Sequence, residues 1–386
     1  MVVSPNISDP WRVGVIGTGF IARSLINVIR DMPDLTVTRA LTRRSLESVE
    51  GIGDDVRLTQ SANELIDHCD VVVECSGDVL HASEVIRDAM AANLPIVAMN
   101  SEFQVTCGSY FVDKGYLTEA EGDQPGSTAA LYKDVIAMGF TPQVYGNMKG
   151  FMNLDPSPED MAYWAERQGL SVEMTTSFTD GTKVQVEQAF VANMYGADIA
   201  KTGLLAPEDK DFNAAAMSLG ELAARRGQPL SDFVVSPGQV PGVFIVASHA
   251  DIHQPVLRYL KLGDGPHYVL IKPYHLCAME IPKTIRAVRA NEPPLLNNSS
   301  KPRISVCAIA KRPIAAGEAI KHGVGSFFLR GEAVRIKDAP NHVPIGLIQN
   351  ATTVRAIEPG QMLQVDDLDL PDSFGREVGL GIVSQA

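Results

Sequence analysis

Residues 13–22, Val-Gly-Val-Ile-Gly-Thr-Gly-Phe-Ile-Ala, constrain the fold more than any other stretch of this chain. An apolar run enters Gly17-Thr18-Gly19-Phe20-Ile21-Ala22, and Ile21, Leu25, Ile26 and Ile29 then recur at helical spacing. That order reads strand, tight turn, helix. A GxGxxA pattern in this setting suits a dinucleotide: Gly17 permits the turn, Gly19 lets the backbone approach a pyrophosphate, and Ala22 lets the helix pack closely on the strand. The first N–H groups of the helix face the anion. A glycine turn in an α/β fold that holds no nucleotide is the alternative.

Further strands are expected at Leu35–Leu41, Asp70–Glu74 and Pro95–Met99, with a helix at Val79–Ala92. Strands alternating with helices predict an α/β fold with a doubly wound Rossmann sheet at the N-terminus. Past residue 100 the pattern changes. Helices are expected at Ser127–Met138, Pro158–Gln168, Lys183–Tyr195 and Asp211–Arg226, and strands at Gln143–Gly146, Gly242–Ser248 and Tyr268–Ile271. This is an α+β substrate domain. The Pro/Asn/Ser-rich stretch Glu292–Pro302 then precedes a small β domain, in which Arg312–Ile320 and Arg355–Leu363 repeat one pattern, a short strand pair turning at glycine. The expected divisions are 1–125, 126–300 and 301–386.

At the end of the second strand, where a carboxylate would hold a ribose 2′-hydroxyl, the chain reads Leu41-Thr42-Arg43-Arg44-Ser45. Two arginines and two hydroxyls suit a 2′-phosphate, so NADP(H) is favoured and NAD(H) is the alternative. Cys75-Ser76-Gly77 and Asn100-Ser101 close later strands and are expected beside the ribose and nicotinamide. With Gly17–Ile21, Thr42, Arg43 and Arg44 they form the expected cofactor set.

Several function classes drop out. A formal charge of -13 would repel a phosphate backbone, and no basic cluster with interleaved aromatics offsets it, so no nucleic-acid partner is expected. No apolar run approaches the roughly 18 residues of a membrane span. The opening MVVSPNISDPW lacks the basic and apolar segments of a leader, which predicts a cytoplasmic protein. Five cysteines without metal-ligand spacing predict free thiols. GxSxG, HExxH and GxxxxGK[ST] do not occur.

Val13–Ala22, Cys75-Ser76-Gly77 and Met99-Asn-Ser-Glu102 resemble the nucleotide domain of the homoserine dehydrogenase superfamily. Residues 303–371 resemble a SAF (β-clip) domain through the two glycine turns. With Gly122-Asp-Gln-Pro-Gly126, Asp180-Gly-Thr-Lys183, Pro241-Gly242, Gly265-Pro-His-Tyr268, Lys272-Pro-Tyr-His275 and Glu280-Ile-Pro282, the chain resembles the deoxyxylulose-phosphate reductoisomerase-like proteins. The resemblance implies an NAD(P)-dependent oxidoreductase and a homo-oligomer. It also implies a divalent metal held by an acidic pair, of which only Asp123 is present here. The companion position is Gln124, a weaker ligand for a hard cation, so the metal is left open with Asp123 as its candidate.

Hydride transfer to or from a carbonyl carbon needs a proton donor or acceptor at the oxygen, and a lysine with a carboxylate is one solution. Lys149, Asp180, Lys183, Glu187 and His275 are the candidate catalytic residues. Lys183 and Glu187, four apart at a helix start, share a face; Asp180 either joins them or caps the helix. Glu102, Asp123 and Lys272 are expected to contact substrate. The expected reaction is plain hydride transfer on a small polar, anionic hydroxy or keto compound. Metal-dependent reductoisomerisation of a sugar phosphate and a non-catalytic NADP(H)-binding regulatory protein are the alternatives.

Overall fold

The computed structural model describes residues 9–384; the leader reading of residues 1–8 lies outside them. Six parallel strands form the N-terminal sheet: β1 (Trp11–Ile16), β2 (Leu35–Leu41), β3 (Arg57–Thr59), β4 (Val71–Glu74), β5 (Ile96–Ala98) and β6 (Leu117–Glu119). Their order is β3-β2-β1-β4-β5-β6, so the chain reverses direction across the sheet between β1 and β4. Ligands bind at the carboxyl ends of strands at such a switch point. Val13, Val15, Val71, Val72 and Val73 are fully buried, as strands covered on both faces require.

Helix α1 (Phe20–Arg30) buries Ala22, Leu25, Ile26 and Ile29 on one stripe. Next come α2 (Ala62–Ile66), α3 (Val79–Ala91), capped by the Asp78 side chain on His81 N–H, and α4 (Ser101–Cys107), capped by Asn100 on Phe103 N–H.

The second sheet is mixed, in the order β10-β9-β7-β8, from β7 (Thr141–Lys149), β8 (Leu230–Val235), β9 (Gly242–Ser248) and β10 (His267–Lys272). Its helices are α5 (Gln124–Ala137), α6 (Pro158–Gln168), α7 (Val172–Thr179), α8 (Thr182–Tyr195), α9 (Phe212–Arg226) and α10 (Gln254–Tyr259). Helix α8 is buried on nearly every side; a helix without a polar face belongs in a core. Helix α11 (Cys277–Arg289) returns to the first sheet: Ala278, Ile281, Ile285 and Val288 share a core with Leu25 and Ile26, and Arg286 pairs with Asp34 at 2.7 Å.

The C-terminal strands are antiparallel: β11 (Ile304–Ala310) with β13 (Leu329–Arg335), and β12 (Ala319–His322) with β14 (Gln349–Thr353), which also pairs β15 (Leu368–Asp369). The repeated segments meet across a pseudo-twofold. Ile314 and Ile357 exchange reciprocal backbone hydrogen bonds, and Gly317 and Gly360 adopt the same left-handed turn (φ 80° and 79°). They are turns joined by isolated bridges rather than the strand pairs expected.

The last helix, α12 (Phe374–Ser384), packs on α3 and α4. Val306, Ala333 and Ile345 share the core of α8 and the mixed sheet, while Leu347 and Val378 lie in the core of the first sheet. Core packing thus runs across residue 300. Among the described residues no helix is long and apolar enough to cross a membrane, and the five cysteines are free.

Candidate active site

A cleft of about 790 Å³ opens where the carboxyl ends of β1 and β4 face the ends of β7 and α8, and the C-terminal strands wall its third side. The glycine turn forms one end. Gly17 has φ 109°, and a Cβ there would press on the Cys75 carbonyl at 3.0 Å. A Cβ on Gly19 would meet no protein atom within 4 Å, so the space before the first turn of α1 is free for a ligand. Phe20 and Ile21 line the cleft.

Thr18 and Thr42 are buried against each other (hydroxyls 3.2 Å apart), and Thr42 also accepts from Arg44 N–H. Those two threonines brace the turn. Arg43 pairs with Asp78 at 2.5 Å while remaining 62% exposed. The Arg44 side chain also lines the cleft. Ser76 and Gly77 follow β4, with Gly77 left-handed at φ 67°. The fully buried Glu74 accepts from Ser76 N–H at 2.7 Å, and burial pushes its pKa up to about 7. These residues fit a dinucleotide: an open turn, a helix N-terminus and two arginines at the far end.

Two expected cofactor contacts are corrected by the structure. Asn100 is fully buried as the α4 cap. Ser101 is equally buried and donates its hydroxyl to Asp123 Oδ2 at 2.7 Å. Both positions follow β5, as read from the sequence, but their side chains turn into the protein to satisfy polar groups there.

The reactive groups gather at the other end. Lys183 Nζ lies 3.0 Å from Glu102 Oε2, 3.3 Å from Ser101 Oγ and 3.7 Å from Asp123 Oδ2. Burial opposes its charge, but Asp123 and Glu102 outweigh this and raise its pKa well above the usual lysine value. Burial would likewise raise Asp123, which Lys183 and the Ser101 hydroxyl instead hold low. Lys149, at the end of β7, donates to Gln124 Oε1 at 2.9 Å and lies 3.9 Å from Glu187. Burial raises Glu187 to about 7, although Lys149 opposes the shift. Lys183 and Glu187 do share a face, yet each has a different partner.

His275 lines the cleft, with Nδ1 3.2 Å from the Gly122 carbonyl. Burial lowers its pKa, so the ring is neutral at pH 7. Nδ1 must donate to that carbonyl, which leaves Nε2 as an acceptor.

Two further candidates are corrected. Asp180 is buried and bound to Lys311 at 2.6 Å, outside the cleft. Lys272 is held by Glu121 (3.0 Å) and Glu280 (2.8 Å) in a buried network tying β10 to α11, so it has no free charge for a substrate.

The acidic pair needed for a divalent ion does not fit here. Gln124 spends Nε2 on the Gly242 carbonyl (3.0 Å) and Oε1 on Lys149. The Lys183 ammonium already compensates Glu102 and Asp123. Among the described residues no group of three or more His, Cys, Asp or Glu side chains is arranged to hold a metal.

Sequence reasoning passed over Lys311, His322 and Gln349, which come from the C-terminal strands; His322 and Gln349 line the cleft, and Gln349 donates to Asp78 at 3.3 Å. No short-range signal links residues this far apart in the chain. A larger cavity, about 1160 Å³, lies between α12 and residues 300–304. Lys301, Arg303, Lys337 and Glu377 line it beside the Arg335–Asp198 pair, but neither the glycine turn nor a strand end of the nucleotide sheet opens into it, so chemistry rather than volume singles out the first cleft.

Comparison with known families agrees with this geometry. Residues 17–105 match the family described as homoserine dehydrogenase, NAD binding domain, and residues 122–281 match oxidoreductase DRL, catalytic domain. No curated protein matches. Similar solved structures include a UDP-N-acetylglucosamine 3-dehydrogenase from Acidithiobacillus ferrooxidans (12% identity, 75% of this chain and 93% of that one, TM-score 0.43). Another is a biliverdin reductase from Synechocystis sp. PCC 6803 in complex with biliverdin and NADP+ (12%, 75% and 94%, 0.41).

Proposed function

We propose that this chain, an NAD(P)-dependent oxidoreductase, reduces the carbonyl of a small polar compound in the cleft, with Lys183 donating the proton to the substrate oxygen. When bound, the nicotinamide cofactor supplies the hydride. The observation that carries the reading is the Lys183 ammonium, held by Glu102, Asp123 and Ser101 in the same cleft as the nucleotide turn. A lysine kept fully charged at neutral pH donates to a developing alkoxide but cannot act as a base, so reduction is the favoured direction. As hydride reaches carbon, the oxygen takes the Nζ proton. Glu187, one turn along the same face of α8 and raised to about 7, is the assigned source of the replacement proton, which reaches Lys183 through water because no direct contact joins the two side chains.

Arg43 and Arg44 support NADP(H) over NAD(H). Among Lys149, Lys183, Lys272 and His275, Lys272 is spent on Glu121 and Glu280, Lys183 is compensated and the His275 pKa is lowered by burial. Lys149, whose nearest partner is an amide oxygen, is left for an anionic or second oxygen group of the substrate. The glycine-turn repeat supports the SAF reading of the C-terminal strands, and a homo-oligomer remains part of the proposal through the family resemblance alone.

The test is an NADPH-oxidation screen over keto acids, hydroxyketones and sugar phosphates, with and without EDTA, with product skeletons read by NMR. Reduced products of unchanged skeleton and resistance to EDTA are expected. A metal-dependent rearranged skeleton contradicts the proposal, as does NADPH binding without turnover of any member.

A further inference from the structure

The first turn of α8 is gripped from the C-terminal strands. Asp180 Oδ1 accepts from Thr182 N–H at 2.9 Å, and Oδ2 takes the Lys311 ammonium at 2.6 Å. Lys311 is anchored in turn by the Ser326 carbonyl at 2.8 Å. Neither charged side chain has any exposed surface. At the start of that turn and at its end, the backbone N–H groups of Gly331 and Ala333 on β13 donate to Thr182 Oγ1 (2.9 Å) and Gln185 Oε1 (2.8 Å). Lys183 lies between these anchored residues and extends to the first turn of α4, where it meets Glu102 and Ser101.

An ion pair this deep is a poor stabiliser, because desolvation of two charges offsets their attraction and an apolar pair of similar volume does as well. What it does supply is placement. A slip of α8 by one residue moves its side chains about 1.5 Å along the axis and turns them about 100°, enough to take Nζ away from both carboxylates.

We propose that Lys311 is a positioning residue for Lys183: by holding Asp180 at the head of α8 it fixes where the Lys183 ammonium reaches, and the C-terminal strands are thereby a working part of the reaction centre. The proposal rests on the reading of Lys183 as proton donor. It goes beyond that reading in giving residues after 300 a role in placing the donor as well as enclosing the cleft.

The full-length chain is compared with Lys311→Met and with the neutral double variant Lys311→Met/Asp180→Asn, which leaves no buried charge unpaired. Three quantities are read: amide hydrogen exchange over residues 180–187, NADPH affinity by fluorescence, and the pH profile of kcat on the best carbonyl compound of the screen. In both variants exchange over 180–187 should rise tenfold or more, kcat should fall tenfold or more, and NADPH affinity should stay within twofold. Above the inflection that Glu187 sets near 7, the alkaline fall of kcat that Lys183 sets should move to lower pH, because Lys183 loses the carboxylates that raise it. If Lys311→Met does not fold, the double variant carries the same readouts. A folded double variant with wild-type exchange, kcat and pH profile would overturn the proposal. If the wild type reduces no compound, the reading of Lys183 fails, and exchange over 180–187 alone decides whether Lys311 orders α8.

Discussion

Glu187 sits on the helix that carries Lys183, and burial raises its pKa to about 7 against the opposing pull of Lys149 and Lys183. As the source of the replacement proton it must be protonated, so reductive kcat is expected to fall as pH rises through about 7. Glu187→Gln should remove that inflection and lower kcat below it; a Gln variant keeping the inflection assigns it to another group. At the other end of the cleft, replacing both Arg43 and Arg44 by Ala should weaken NADP(H) by about 1.5–3 kcal/mol for the lost charge-assisted bonds and leave NAD(H) nearly unchanged. Equal losses measured by calorimetry would remove the 2′-phosphate assignment. The two arginines were legible because a strand end followed by a missing carboxylate is a local signal. Asp180 was not legible in the same way: its motif looks the same whether the carboxylate faces a substrate or a buried lysine 131 positions away.

Among the elements, β1, the glycine turn and α1 follow directly from residues 11–30, since apolar periodicity and turn chemistry coincide there. Helices α11 and α12 are less evident. Pro282 lies inside α11, and three glycines in α12 lower its helical propensity, so both depend on packing against α1, α3 and α4. The join between the two sheets is tightest at Gly126, in the first turn of α5, where a Cβ would come within 1.9 Å of the Ala120 carbonyl. The obstacle is backbone, which cannot swing aside. Gly126→Ala should therefore cost roughly 1–3 kcal/mol or more, read as a lowered urea midpoint. It should also weaken turnover, because Asp123 and Gln124 begin the same helix. A variant of unchanged midpoint would show that β6 and α5 can separate at little cost.

Across the whole molecule, a nucleotide sheet, a mixed sheet and a C-terminal wall meet at one cleft. The glycine repeat after residue 300 made that last region look self-contained, because turn patterns are short-range while packing partners such as Leu347 beside α3, or Val306 beneath α8, are long-range. A chain ending at residue 300 would expose the α8 core, and it should lack a cooperative thermal transition; a cooperative, NADPH-binding product would contradict the shared core. Proton donation to the substrate oxygen is assigned to Lys183, beside the carbon that takes the hydride. Single-turnover oxidation of bound NADPH by a carbonyl compound, compared between the wild type and Lys183→Met, tests it most directly. The variant's rate should be lower by about 10²–10⁴-fold, as for loss of a general acid, with NADPH affinity within twofold. An unchanged rate in Lys183→Met would contradict that assignment.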